Sequence, residues 1–331
     1  VIAIFSDLHL DEKNFEENEK LLDWLLRQVN DCSELICLGD VFEKKDRIPN
    51  KIKNLFVDFV SNLHTNVRFY VLMGNHDYVD RNNPSLRFLN GFEGVLFVED
   101  VLIEEERIFV PFMEESEFLK TLEKLPKKKY LFIHQFVKEI FPYGTDLELR
   151  HFFGFNRIFA GHYHTFARVK NYFKNCEFIS VGMPLPRDFR DADENSKRKK
   201  RGIIKLKDLN SEIEFVEYKD FIRYVSIEAD SEEDLMLHLD RIARWHEKTH
   251  LLVKVKRNFS KERIKKVCSN YDYVQTLSVK YVENMKTGKV QNNFEVFDVK
   301  EIDNILKDYL DEMGVSKKEY YFRTAKKLLE L

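Results

Sequence analysis

The stretch Arg68-Phe69-Tyr70-Val71-Leu72-Met73-Gly74-Asn75-His76-Asp77 joins an apolar run, which reads as a buried strand, to four polar residues with metal-binding or proton-transfer chemistry. The same arrangement recurs along the chain. Ile2–Phe5 runs into Ser6-Asp7-Leu8-His9, Leu35–Leu38 into Gly39-Asp40, Tyr130–Ile133 into His134, and Arg157–Ala160 into Gly161-His162-Tyr163-His164. Open α/β sheets carry their sites outside the carboxyl ends of their strands. Five strands delivering Asp, Asn or His to those ends therefore predict one shared polar centre. A lone histidine is usually structural, but five of the ten histidines fall at these strand ends.

Between the strands, Leu21, Leu22, Leu25, Leu26 and Val29 recur at helical spacing, as do Ile52, Leu55, Phe56, Phe59 and Val60. Alternating strands and helices predict a largely parallel sheet with right-handed crossovers. A short helix is expected over 84–92, short strands within 95–112, and a helix over 114–125. From 157 to 218 the short strands read as antiparallel in character and as part of a second sheet. Residues 182–201, with two prolines and the run Lys197-Arg198-Lys199-Lys200-Arg201, read as a loop. Beyond 220 a smaller β-α-β-α-β rhythm follows, and Leu235, Leu239, Ile242 and Trp245 line one face of its first helix. Residues 283–299 read as a polar linker, and 300–331 as two amphipathic helices broken at Gly314.

At 331 residues the chain is long for one compact unit, and 44% apolar content supports a sizeable core. No apolar run reaches bilayer length, and the chain begins on a strand-like segment, so a soluble intracellular protein is expected, in cytoplasm or nucleoid, with a phage-infected host cell as an alternative setting. Four cysteines without Cys-x-x-Cys spacing point away from a disulfide scaffold. A net charge of −3 advertises no anionic partner, so any nucleic-acid contact rests on local patches. The candidates are Lys197, Arg198, Lys199, Lys200 and Arg201, with Arg241, Arg244, Lys254 and Lys256 in the smaller unit.

Asp7, His9, Asp40, Asn75, His134, His162 and His164 make a mixed oxygen and nitrogen ligand set, suited to Mn²⁺, Fe²⁺ or Zn²⁺ better than an all-oxygen shell. Seven ligands are too many for one ion with an open position, so two ions are the economical reading, with Asp40 as the bridge. Such a pair performs in-line displacement at phosphorus. His76 is placed to act as general acid, and Asp77 to orient a motif histidine. Glycines 39, 74 and 161 let the backbone turn and approach closely where the ligands begin.

In this order and spacing the motifs resemble the five motifs of the calcineurin-like metallophosphoesterases, over residues 1–165. The resemblance implies an α/β fold, an αββα sandwich. It also implies a site in which Asp7, His9 and His164 serve one ion, Asn75, His134 and His162 the other, and Asp40 both. Gly182-Met183-Pro184, the small α/β unit and the terminal helices are most similar to the Mre11/SbcD-type recombination nuclease subunit, including those of large phages. That likeness implies a nuclease domain over 1–219, a DNA-capping domain over 220–282, a linker over 283–299 and an ATPase-binding motif over 300–331. The implied activity is duplex exonuclease and single-strand endonuclease hydrolysis with two divalent ions, Mn²⁺ first and Mg²⁺, Fe²⁺ or Zn²⁺ as alternatives. The implied partners are DNA and a Rad50/SbcC-like coiled-coil ATPase, and a homodimer is compatible with it. A phosphodiesterase or phosphatase acting on nucleotides or phosphoproteins is the alternative reading. One departure is Glu43, which stands where relatives often carry His or Asp.

Overall fold

In the computed structural model, residues 1–282 are described apart from 65, 128–129, 142–144, 171–175 and 257–258, together with the strand Glu295–Val296. The chain divides into two compact units, 1–187 with 199–221, and 188–198 with 222 onward.

The first unit opens β1 (Ile2–Phe5), α1 (Phe15–Gln28), β2 (Glu34–Cys37), α2 (Asn50–Ser61), β3 (Arg68–Leu72) and β4 (Val95–Val98). β1, β2, β3 and β4 pair in parallel in that order. Then come β5 (Leu102–Glu104), β6 (Arg107–Val110), α3 (Glu115–Lys124), β7 (Tyr130–His134), β8 (Arg157–Gly161), β9 (Ala167–Lys170) and β10 (Glu177–Ser180), which form a second six-stranded sheet. β11 (Asp193–Glu194) belongs to the other unit. β12 (Gly202–Leu206) and β13 (Glu214–Glu217) return to the first sheet, where β12 lies antiparallel to β1.

Strand alternation explains the layers. In β1, Ile2 and Ile4 face inward against Phe109, Phe132, Phe159 and Ile179 of the second sheet. Ala3 and Phe5 face outward, against Leu21, Leu25, Phe56 and Phe59 of α1 and α2. The outer face of the second sheet packs on Phe118 and Leu122 of α3 and on Phe152. Both faces of both sheets are covered, which is why these strands read as continuous apolar runs rather than alternating ones. The result is the expected αββα sandwich. Between its sheets four rings stack as a ladder, Tyr70 on Phe109 at 4.9 Å, Phe109 on Phe132 at 4.6 Å and Phe132 on Phe159 at 5.2 Å.

The second unit is built on a five-stranded sheet. β14 (Arg223–Glu228), α4 (Glu232–Ala243), β15 (Thr249–Val255), α5 (Lys261–Cys268) and β16 (Val274–Tyr281) run as parallel strands joined by helices. Ser231 and Ser260 cap the two helices, each accepting the backbone N–H three residues on. β11 and β17 (Glu295–Val296) complete the edges.

Several expectations are corrected. Residues 84–92 hold a 3₁₀ segment, Arg87–Gly91, not an α-helix. β8 is parallel to both β7 and β10, so the pattern after 157 is mixed rather than antiparallel. The segment 182–201 is not all loop, and 188–198 groups with the second unit instead of the first domain, because β11 pairs with the edge of β14. Residues 295–296 are not linker; they satisfy the edge of β16 as an antiparallel strand. The rest of 283–299 and the helices expected over 300–331 lie outside the described residues.

Phe132 sits at the middle of the ring ladder and is fully buried. Its truncation to Ala should lower the stability of the first unit by about 3–5 kcal/mol. Trp24 fluorescence during urea unfolding, in a Trp245→Phe background, measures this. An unmoved midpoint would show that the ladder contributes no packing energy.

Candidate metal centre

The strand ends converge as the pattern requires. Asp7 and His9 follow β1, Asp40 follows β2, Asn75 and His76 follow β3, His134 ends β7, and His162 and His164 follow β8. The loops after β1 and β2 are zipped together: Asp7 N donates to Gly39 O at 3.0 Å, His9 N to Asp40 O at 3.0 Å and Leu10 N to Val41 O at 2.8 Å. Asp7, His9, Asp40 and His162 all hold left-handed backbone, with φ of 54°, 45°, 56° and 79°. That conformation costs an L-residue roughly 1–2 kcal/mol, and its concentration at one site is the usual sign of function overriding local preference.

The glycines have a steric reason. A Cβ on Gly74 would lie 2.3 Å from Asp40 Oδ1, and one on Gly39, whose φ is +103°, would lie 2.7 Å from His134 Nδ1. At both positions a side chain would displace a ligand.

Two ligand groups result. Asp7, His9 and His164 form one: His9 Nε2 and His164 Nε2 are 3.2 Å apart, and Asp7 Oδ1 lies 3.8 Å and 3.9 Å from them. Asp40, His134 and His162 form the other, joined by Asn75, whose Oδ1 is 3.0 Å from His134 Nε2. Asp40 Oδ2 stands between the two groups, 3.5 Å from His9 Nε2 and 3.3 Å from His134 Nε2. Neighbouring ligands of an octahedral ion with bonds near 2.1 Å are about 3 Å apart, so the spacing fits a bridging carboxylate.

The electrostatics fit a cation as well. Asp7 and Asp40 are fully buried carboxylates. Burial pushes the His162 imidazole down to about 3 and lowers that of His9, leaving both neutral as ligands must be. Burial also opposes a charge on His134, but Asp40 overrides it and raises His134 to about 9. The attraction that holds a proton between His134 and Asp40 would hold a divalent cation in its place.

The neighbouring residues orient this set. His134 Nδ1 is 2.6 Å from Leu38 O, which fixes the ring so that Nε2 faces the centre. Phe136 stacks on His162 with ring centroids 4.5 Å apart. Glu43, the departure noted in the sequence, lies 2.9 Å from His9 Nδ1 and pairs with Arg187. Although burial opposes its charge, the His9 contact and the Arg187 guanidinium hold the Glu43 carboxyl down at about 2. Glu43, His9 and His76 form a third group of ligand-type atoms, but the guanidinium beside Glu43 disfavours a metal there. His76 is partly exposed; its Nδ1 lies 2.7 Å from Glu43 O, and its backbone N donates to Asp40 Oδ1 at 2.7 Å.

Asp77 corrects an expectation. It orients no histidine. Its Oδ2 accepts from Asp40 N and Gly74 N, both at 2.8 Å, and its Oδ1 from Val41 N at 3.1 Å. A buried carboxylate thus ties the second and third ligand loops together.

The basic candidates fall in both units and differ in their surroundings. Arg201 is 1% exposed and donates to His164 O at 2.9 Å, so it supports the last ligand loop rather than facing solvent. Lys200 lies 5.7 Å from the Phe166 and Phe215 rings, and Lys199 is half-buried. In the second unit Arg198 pairs with Glu247 at 2.7 Å, Lys254 with Glu228 at 3.4 Å and Lys256 with Asp230 at 3.1 Å. Lys197, Arg241 and Arg244 are exposed.

Glu43, Arg187 and Phe136 were not singled out as site residues. Glu43 and Phe136 stand within three residues of a ligand, which is a usable signal; Arg187 has none, being 144 positions from Glu43.

The calcineurin-like phosphoesterase family model matches residues 1–166, half of the chain, and the chain belongs to that family. It is therefore a metal-dependent phosphoesterase by family. No curated protein matches it. Among solved structures it is similar to the nuclease MPE of Pseudomonas putida, at 17% identity, with a TM-score of 0.29, covering 54% of this chain and 72% of that one. Among the described residues no helix is long and apolar enough to cross a membrane.

Replacing Asp77 by Ala would leave three buried N–H groups without their acceptor, at about 1–3 kcal/mol each. The variant should bind divalent metal at least tenfold more weakly than the parent, as measured by calorimetry. Equal affinities would mean that the loops hold their places without this carboxylate.

Proposed function

We propose that the chain is a Mn²⁺-dependent DNA nuclease, acting as duplex exonuclease and single-strand endonuclease with a Rad50/SbcC-like coiled-coil ATPase in recombination and double-strand-break repair. The observation that carries the chemistry is Asp40 Oδ2, set between two histidine-containing ligand groups. In this reading Asp7, His9 and His164 hold one ion, Asn75, His134 and His162 the other, and Asp40 both. When bound in these groups, two divalent ions would supply Lewis-acid activation of the nucleophile and neutralise charge on the phosphoryl oxygens.

The chain's own residues do the rest. His76 keeps Nδ1 on the Glu43 carbonyl, which leaves Nε2 for the substrate; in the imidazolium form Nε2–H donates its proton to the departing sugar oxygen. Glu43 and Arg187 hold the His9 ring, and Asp77 holds the loops that carry Asp40 and Asn75. DNA as substrate is supported by the Mre11/SbcD-type arrangement of the sequence and by a second folded α/β unit, which a phosphatase of small substrates does not need. An intracellular location follows from that role.

His76→Ala should lower kcat on linear duplex DNA by at least 100-fold while Mn²⁺ binding stays within a few-fold of the parent, whereas Asp40→Ala should lose both. Metal titration beside the nuclease assay checks this. If His76→Ala loses metal as completely as Asp40→Ala, the general-acid role is wrong. Cleavage of a chromogenic phosphodiester with neither duplex nor circular single-stranded DNA attacked, with or without an ATPase partner, would favour a phosphodiesterase of the same family.

The segment 300–331 carries apolar stripes, Ile302, Ile305, Leu306, Tyr309, Leu310 and Met313, then Tyr321, Phe322, Ala325, Leu328 and Leu329, suited to docking on a coiled coil. Its deletion should leave a folded enzyme active on the small phosphodiester that no longer co-purifies with the ATPase. Aggregation or metal loss on truncation would assign these residues to the core.

A further inference from the structure

The histidines of the metal centre are not all held by the same means. His134 is fixed through Nδ1, 2.6 Å from Leu38 O. His9 Nδ1 lies 2.9 Å from the Glu43 carboxylate and 3.3 Å from the Arg187 guanidinium. His162 differs. Among the described residues neither of its ring nitrogens makes a hydrogen bond, and only its backbone N is engaged, donating to Asp7. A histidine that ligates a metal almost always has its other ring nitrogen tied to a neighbouring acceptor, which sets the orientation of the ring. His162 has particular need of a restraint, because it is partly exposed and stands on left-handed backbone just beyond β8, with φ of 79°.

Aromatic packing supplies that restraint. Phe136 lies flat on the His162 ring, with centroids 4.5 Å apart and planes 10° from parallel. Phe112 approaches the same ring at 5.6 Å, tilted by 54°, and meets the His134 ring edge-on at 6.1 Å. The last torsion of an imidazole is broad when nothing acts on it. Turning His162 about that torsion would break its face-to-face contact with Phe136, so the stack selects one ring plane, as a hydrogen bond does for His134.

Phe136 is itself anchored. It follows β7, two residues after His134, where the parallel register sets His134 beside Gly161. On one side of it Gln135 Nε2 donates to Met113 O at 2.6 Å, and on the other Val137 is fully buried. Phe141 meets the Phe136 ring edge-on at 5.2 Å. Among the described residues the ring contacts of Phe136 are with His162 and Phe141, and with neither His9 nor His164.

We infer that Phe136 is a positioning residue for one ion of the pair: by stacking on His162 it holds the imidazole in the plane from which it ligates, beside Asp40, Asn75 and His134. The ion served by Asp7, His9 and His164 does not draw on this contact. The inference rests on the two-ion reading of the centre and not on DNA as the substrate.

The test is calorimetric titration of the metal-stripped full-length chain with Mn²⁺. The parent should take up two ions. Phe136→Leu, which keeps apolar bulk but removes the flat ring, should bind one ion like the parent and the other about tenfold more weakly. Phe136→Tyr restores the ring and should bind both ions within a few-fold of the parent. Phe152→Leu, which removes a buried ring from the outer core of the same sheet, far in sequence from every ligand but His162 and His164 and in ring contact with Phe118 and Phe178, should also bind both like the parent. Electron paramagnetic resonance at a Mn²⁺ concentration that just fills the parent gives a second reading: an exchange-coupled pair in the parent, and the spectrum of isolated Mn²⁺ in Phe136→Leu. Melting temperature shows that each variant is folded, and Phe136→Met carries the test if Phe136→Leu is not. A folded Phe136→Leu that binds both ions like the parent, or loses both equally, would overturn the inference. So would the same selective loss in Phe152→Leu, or in Phe136→Tyr. A parent that binds a single ion would overturn the two-ion reading and the inference with it, and that failure is distinguishable because it is seen before any residue is changed.

Discussion

Two buried carboxylates govern the first unit. Asp7 and Asp40 are removed from water at the ends of adjacent parallel strands, and an ionised carboxylate so placed carries a desolvation penalty of several kcal/mol unless it is compensated. Backbone amides compensate part of it: His162 N donates to Asp7, and His76 N to Asp40. The rest is met by the imidazoles that crowd around them. Burial, and after it the neighbouring His134, disfavours a charge on the His162 ring. A set of carboxylates and imidazoles held this tightly, with left-handed backbone at four of its members, is one that a bound divalent cation would stabilise.

The same constraint explains the fold's economy. Every ligand is delivered by a strand that is covered on both faces, so the strand ends cannot drift independently. The loops between them are locked by hydrogen bonds rather than by packing, through the zipper from Asp7 to Val41 and through Asp77. The glycines permit this closeness, since a single methyl at Gly74 would occupy the space of the Asp40 carboxylate. Rigidity at the ligands and the strain of their backbone are two sides of one arrangement.

Much of this was legible in the sequence, for identifiable reasons. Strand-ligand junctions are local, so Asp7, His9, Asp40, Asn75, His134, His162 and His164 could be read from apolar runs that end in metal-binding residue types, and the four-layer sandwich was implied by the family resemblance those motifs carry. What could not be read is pairing across long separations. Arg187 on Glu43 and Arg201 on the His164 carbonyl join residues far apart in the chain, and nothing in either neighbourhood marks them. Asp77 was legible as a supporting residue but not its partners, because backbone amides leave no trace in residue identity. β11 was hidden for the opposite reason: two residues inside a charged segment show no period.

Arg201 and Arg223 also show why counting basic residues misreads a charged chain of this kind. Both are almost wholly buried, and Arg223 is bound to Asp193 at 2.9 Å and to Glu247, which also takes Arg198. These ion pairs fasten 188–198 to the rest of the second unit. Their worth is geometric, since a buried ion pair recovers roughly what its desolvation costs but fixes the partners in one arrangement. By placing Asp193 and β11 along β14, the network positions Phe189 and Arg190 over the lysine-bearing face of the sheet. Strand register, not a basic run in the sequence, also brings Lys254 and Lys280 side by side.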